Sequence, residues 1–135
     1  MMPMKLGMCG FTIGAAAYFK QFRAVEVQQT FYDPPPAATL EKWRAQAPAD
    51  FEFTMKAWQV ITHRGTSRTY RRLRRPFSAE QLAAAGAFRR NATTLQAWDE
   101  TLAAARTLRA TSGARSTATG SCRSYRGCSW GSTRG

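Results

Sequence analysis

Two short alternating stretches separated by a helical segment constrain this fold more than any other feature of the chain. In Phe22 to Tyr32, FRAVEVQQTFY, Val25 and Val27 alternate with Glu26 and Gln28 at the period of a β-strand. In FEFTMK, Phe51, Phe53 and Met55 alternate with Glu52, Thr54 and Lys56. Between them, behind the turn Asp33-Pro34-Pro35-Pro36, Leu40, Trp43 and Ala47 recur at helical spacing. Strand, helix and strand in that order make the two strands parallel neighbours joined by a right-handed crossover. Parallel strands covered by helices on both faces read as near-continuous apolar runs, yet here every second position is polar. One face of the sheet is therefore expected against helices and the other toward something polar.

The remaining elements follow from local signals. Lys5 to Cys9 reads as a first strand, with Leu6 and Met8 on one side and Lys5, Gly7 and Cys9 on the other. A short helix is expected around Ala15 to Phe22, a second from about Ala38 to Gln46, and the strand from Ala24 to Gln28 is read as running out into Thr30 and Tyr32. The third strand spans Glu52 to Lys56. Residues 57 to 77 form a long connection with arginines at 64, 68, 71, 72, 74 and 75 and no acid, and connections of that length carry function or lack fixed structure. Ser78-Ala79-Glu80-Gln81 is a capping-box pattern. A last helix is expected at Leu95 to Arg109, with Leu95, Trp98, Leu102 and Ala105 as its apolar stripe and its acids nearer the start than its arginines.

The chain of 135 residues has room for one domain. Its net charge of +12 points to an anionic partner, nucleic acid included. A third of that excess lies in residues 111–135, which hold four arginines and no acid. That segment also contains six Ser, five Gly and four Thr and no Leu, Ile, Val, Met or Phe, so the division expected is a folded domain over 1–110 and a disordered tail over 111–135. Cys9, Cys122 and Cys128 make an odd number without a C-x-x-C spacing, which supports neither a disulfide framework nor a zinc site. No stretch has the roughly 18 consecutive apolar residues of a membrane span, and a reducing cytoplasm is the expected compartment.

VEVQQTFY at 25–32 resembles the V-E-x-N-x-T-F-Y signature of domain of unknown function 72, the YecE-like TIM-barrel family. Gly7-Met8-Cys9-Gly10-Phe11, the Leu40 to Trp43 segment with Pro48, Phe51 to Lys56, Ile61-Thr62-His63, Thr69-Tyr70-Arg71-Arg72 and Ala97-Trp98 are similar to further family motifs over roughly residues 4 to 111. Gln28 stands where the family usually has Asn, and Phe11-Thr12-Ile13 is a loose form of its G-W-x-Y turn. The resemblance implies an α/β fold made of the first three βα units of a TIM-barrel-like domain. The barrel would be incomplete, because the Ser/Gly/Arg segment stands where a fourth strand is due. A frameshift or truncation after Ala110 is the reading this suggests, with the chain expected to lack the activity of the whole barrel.

The same resemblance implies a small-molecule enzyme or ligand-binding barrel whose reaction and cofactor remain open. Glu26 and Lys56 share one parity on adjacent strands, which suits a general acid/base beside an electrostatic partner for a small anionic ligand, or equally a structural ion pair. His63, the chain's single histidine, matches the family's Thr-His motif on the side of strand three where barrel active sites are built. Thr30 and Tyr32 are candidate ligand contacts, with loop packing as the alternative. Arg71 and Arg72 could bind phosphate, or nucleic acid as a rival class, because guanidinium groups offer charge and paired donors. No metal-ligand set is read.

Overall fold

The computed structural model describes residues 4–111. Its elements run β1 (Gly7–Cys9), α1 (Ala15–Gln21), β2 (Ala24–Val27), α2 (Gln29–Tyr32), α3 (Ala37–Gln46), β3 (Glu52–Met55), α4 (Gln59–Thr62), a 3-10 turn (Arg68–Arg72), α5 (Ala79–Ala84) and α6 (Ala92–Leu108). The three strands form one parallel sheet in the order β1-β2-β3. Met8 pairs with Val25 and Val25 in turn with Phe53, while Cys9 pairs with Glu26 and Glu26 with Thr54. Of the segment 111–135 expected to be disordered, residues 112–135 lie outside the described residues, and Thr111 is bonded to the Phe53 carbonyl.

Alternation along β2 and β3 divides the sheet into two faces. Val25, Val27, Phe53 and Met55 are buried with Tyr18 and Phe19 of α1, Leu40 of α3, Phe51, and Ala104 and Leu108 of α6. Burying an aliphatic or aromatic side chain of this size contributes about 1.5–3 kcal/mol, so this layer sets which way the strands face. Tyr18 is fully buried and its hydroxyl joins two strands, accepting from Met8 N–H at 2.7 Å and donating to the Ala24 carbonyl at 2.9 Å. A second cluster, centred on Ala57, Trp58, Val60, Ile61, Ala85 and Ala97, fills the space beyond the C-terminal end of β3.

The structure corrects two local expectations and adds detail to two others. The β2 strand stops at Val27, and Gln29–Tyr32 turns helical instead of extending it. The long connection after β3 is ordered, because α4 and the 3-10 turn bring Ile61, Tyr70 and Leu73 onto the second cluster. Leu6 and Met8 do lie at the edge strand but remain exposed, since the helices reach only as far as β2 and β3.

The apolar stripe expected on α6 is the second correction, and it is partial, since Trp98 and Ala105 of that stripe do pack on the clusters. Its buried side is Thr94, Ala97, Thr101, Ala104 and Leu108, while Leu95 and Leu102 are 47% and 44% exposed. Small side chains at i, i+3, i+7 and i+10 let the helix backbone approach its neighbours closely, and the Thr101 hydroxyl is satisfied by the Ala97 carbonyl at 2.7 Å. The cap expected from the sequence is built, with Ser78 and Gln81 forming a reciprocal capping box on α5, and a second box that the sequence reading did not name, Asn91 with Thr94, starts α6 at Ala92, three residues before the expected Leu95.

Because the buried side of α6 is the small one, Ala104→Leu should overpack the core and lose about 1–3 kcal/mol. Leu102→Gln should stay within about 0.5 kcal/mol of the parent. Urea unfolding of the two variants checks the assignment, and the reverse order of effects would restore the Leu95/Leu102 stripe as the packed one.

Candidate functional site

Glu26 points to the face of the sheet that carries no helix. It lies in a row with Cys9 and Thr54, and Lys56 follows one step beyond the end of β3 on the same parity. Lys56 Nζ stands 3.6 Å from Glu26 Oε1, with both side chains 28% exposed. Gln28 Nε2 donates to the same carboxylate at 3.1 Å, and Cys9 Sγ is 3.8 Å from its other oxygen. Thr54 has a different duty, donating its hydroxyl to the Val25 carbonyl at 3.2 Å. The result is a carboxylate held between an ammonium, an amide and a thiol, open to water on one side. Such a group can accept or give a proton, and the lysine beside it can receive an anion.

Thr30 and Tyr32 part company on the helical turn α2. Thr30 is fully buried, and its hydroxyl lies 3.0 Å from the Val27 carbonyl and 2.8 Å from that of Lys56, so it ties the ends of β2 and β3 together. The Tyr32 ring faces outward beneath Arg72, whose guanidinium carbon is 4.8 Å from the ring centroid. The Tyr32 carbonyl accepts from Trp58 Nε1 and from Gln59 Nε2, each at 3.0 Å.

His63 caps the C-terminal end of α4. Its Nδ1 is 2.6 Å from the Thr62 hydroxyl, and its ring meets Phe31 edge-on at 5.0 Å, with Phe31 meeting Tyr32 in the same way. The backbone there is tightly built. Val60, Ile61 and Thr62 carbonyls accept from Gly86, Phe88 and Ala87 N–H groups. Gly86 has φ +79°, and a Cβ at that position would come within 2.1 Å of the His63 carbonyl oxygen, so a side chain there is excluded by contact as well as by conformation. No ion pair or hydrogen bond among the described residues joins His63 to Glu26 or Lys56. Sequence parity thus brings Glu26 and Lys56 together, while His63 belongs to a ring series that leads toward Arg72.

Arg71, Arg72 and Tyr32 line a cleft of about 940 Å³ between the proline turn, α6 and the 3-10 turn. Sequence reasoning missed the residue that organises it. Arg75 bonds Asp33 at 2.8 Å and Glu100 at 2.7 Å while its guanidinium lies 4.5 Å from the Trp58 ring centroid. Partial burial pulls that guanidinium down, but the hydrogen bond to Glu100 and the charges of Asp33 and Glu100 raise it on balance. No local signal in the sequence pairs Arg75 with Asp33 and Glu100, which lie 42 and 25 residues away from it.

Tyr70 anchors the far side of the 3-10 turn, donating to the His63 carbonyl at 2.8 Å. Burial pushes its phenol up to about 12, partly offset by the positive charge of Arg89. The folded state then holds the proton over a range where the unfolded chain, with a phenol near 10, has released it. That contribution to stability is complete below about pH 10 and fades as pH rises toward 12. Urea midpoints measured between pH 9 and 12 should therefore fall more steeply for the parent than for Tyr70→Phe, and parallel curves would contradict the buried phenol.

The comparisons with known proteins now have a structure to refer to. Residues 15–115 match the family model described as Protein of unknown function DUF72. The UPF0759 protein YunF of Bacillus subtilis (strain 168) is 41% identical over 46 residues, covering 34% of this chain and 16% of the relative. Among solved structures, a DUF72 family protein (EF0366) from Enterococcus faecalis V583 aligns over 74% of this chain and 35% of its own, at 22% identity and a TM-score of 0.45. The chain thus spans about a sixth of the first relative and about a third of the second.

Proposed function

We propose, for a chain that belongs to the DUF72 family, that the helix-free face of its sheet binds a small anionic molecule, with Lys56 receiving the charge and Glu26 exchanging a proton with the ligand. The observation that carries this reading is the Glu26–Lys56 pair, 3.6 Å apart and 28% exposed on each side, on the face of β2 and β3 where the apolar core is not. A pair meant only to stabilise the fold gains little at this exposure, on the order of 0–1 kcal/mol. A pair meant to meet a ligand needs that access. Cys9 and Gln28 complete the lining and set the carboxylate's orientation.

We read the three βα units as the opening of a TIM-barrel-like arrangement. Helices on one side of a parallel sheet and polar groups on the other suit a barrel wall, whose inner face is a shared interior and whose chemistry sits at the C-terminal ends of the strands. Lys56 and His63 both follow the C-terminal end of β3. In this reading the sheet described here supplies part of the site, and the reaction of the whole barrel is a property of the longer family members.

The test uses Glu26→Gln, Lys56→Met and the double variant in the 135-residue chain. Each should change urea stability by less than about 1 kcal/mol, since water reaches both groups. Ligand-observed NMR against a panel of small carboxylates should give hits with the parent that Lys56→Met abolishes. Glu26→Gln should weaken those hits without abolishing them, because the amide keeps the carboxylate's shape but cannot take up a proton. If both single variants keep the parent's hits at undiminished strength, the polar face is not a ligand site.

A further inference from the structure

We infer that the cleft beneath the 3-10 turn is a second binding site, separate from the strand face, and that its ligand is a small phosphorylated molecule with a flat or apolar body. None of Cys9, Glu26, Thr54 or Lys56 lines this cleft, so its occupancy is independent of the Glu26–Lys56 pair.

The charge of the cleft is the first part of the argument. Four arginines, at 71, 72, 74 and 75, line it against two carboxylates, Asp33 and Glu100. Both carboxylates are engaged by Arg75. Among the described residues no ion pair holds Arg71, Arg72 or Arg74. Three guanidinium groups therefore wall one cavity without a protein anion to meet them, and clustered guanidinium groups are the side chains best suited to a phosphate because each presents paired N–H donors. Self-repulsion among them is reduced by a multivalent anion and by little else on this surface.

The shape is the second part. Arg75 is fixed from three directions by Asp33, Glu100 and the Trp58 ring, which pins the end of the arginine run against the body of the protein. Ser67 caps the start of the 3-10 turn through the Thr69 N–H. The arginines between these two anchors are thus carried on a short, tied segment. The apolar side of the lining is Pro34, Pro35, Pro36 and Tyr32, with Leu40 and Ala104 almost fully buried behind them. A pure inorganic anion would leave that apolar wall unused. A phosphate attached to an organic body uses both sides, with its charge on the arginines and its body against the prolines and the tyrosine.

The probes are inorganic pyrophosphate and phenyl phosphate, with inorganic phosphate as the reference, titrated by isothermal calorimetry into the full chain at about 0.1 M salt. Phenyl phosphate should bind at least fivefold tighter than inorganic phosphate, reflecting the apolar wall. Arg71→Gln/Arg72→Gln/Arg74→Gln should weaken pyrophosphate by at least tenfold, and Lys20→Gln, which removes an exposed charge on α1 away from the cleft, should leave it unchanged. The triple Arg→Lys variant, which keeps the charge and the solubility, should recover only part of the affinity. Its circular dichroism melt, compared with the parent's, shows that loss of binding is not loss of fold. A single-stranded 20-nucleotide oligomer provides the contrary arm. If the oligomer binds with a steep salt dependence while neither phosphate probe binds, the surface serves nucleic acid and the small-ligand inference is wrong. If the arginine variants bind pyrophosphate as the parent does, the cleft is not the site.

Discussion

The parallel pairing of β2 with β3 is the constraint on which the rest of this structure depends. In the observed register Glu26 stands beside Thr54, and Val25 and Val27 stand beside Phe53 and Met55. A slip of β3 by one residue would turn Thr54 and Lys56 into the helix layer and the core side chains Phe53 and Met55 into water. Burying a charge without partners costs several kcal/mol, and exposing the core forfeits about 1.5–3 kcal/mol for each large side chain. The register is further tied by two threonines: Thr54 donates across the pair to Val25, and the Thr30 hydroxyl sits between the Val27 and Lys56 carbonyls. One alternation therefore fixes the core and, on the opposite side of the same backbone, the polar row.

Two chemically distinct regions grow from that sheet. The strand face offers a carboxylate and an ammonium within reach of each other. The cleft offers three arginines beside an apolar wall. They are linked through the helical turn Gln29–Tyr32, which carries Thr30 into the strand ends and Tyr32 out under Arg72. Phe31 between them meets the His63 ring at 5.0 Å. A displacement of this turn would be felt on both sides, since the Tyr32 carbonyl also receives Trp58 and Gln59. The amide oxygen of Gln59 is itself buried without a hydrogen-bond partner among the described residues. At the other end of β3, the N–H of Thr111 reaches the Phe53 carbonyl at 3.1 Å, so the chain leaving α6 returns to the outer edge of the sheet.

Much of this was legible in the sequence because the controlling signals are local. The period-two pattern of β2 and β3 depends only on neighbouring residues, as does the Ser78/Gln81 capping box, and both are realised. The Glu26–Lys56 meeting follows from parity alone. What failed to show was set by packing at a distance. Leu95 and Leu102 outrank Ala97 and Ala104 on any hydrophobic scale, yet α6 turns the smaller residues inward because close approach to its neighbours leaves no room for leucine there. The turn at Gln29–Tyr32 reads as a continuing strand from its β-formers Thr30, Phe31 and Tyr32. It becomes helical because the Thr30 hydroxyl and the Tyr32 carbonyl find partners on the segment after β3. Arg75 was one of six arginines in a run, and only the folded chain shows that it takes both acids and leaves the others facing the cleft.

The division of one strand pair into a sealed face and an open, charged face is the claim that supports every functional reading above. Cysteine accessibility tests it directly. Thr54→Cys and Met55→Cys place thiols on adjacent residues of β3, and the rate of their modification by iodoacetamide can be followed at each site by mass spectrometry of the digested chain. The account predicts modification at position 54 at least tenfold faster than at position 55 under native conditions, with the two rates converging in urea. Equal native rates at the two positions, or faster reaction at 55, would contradict it.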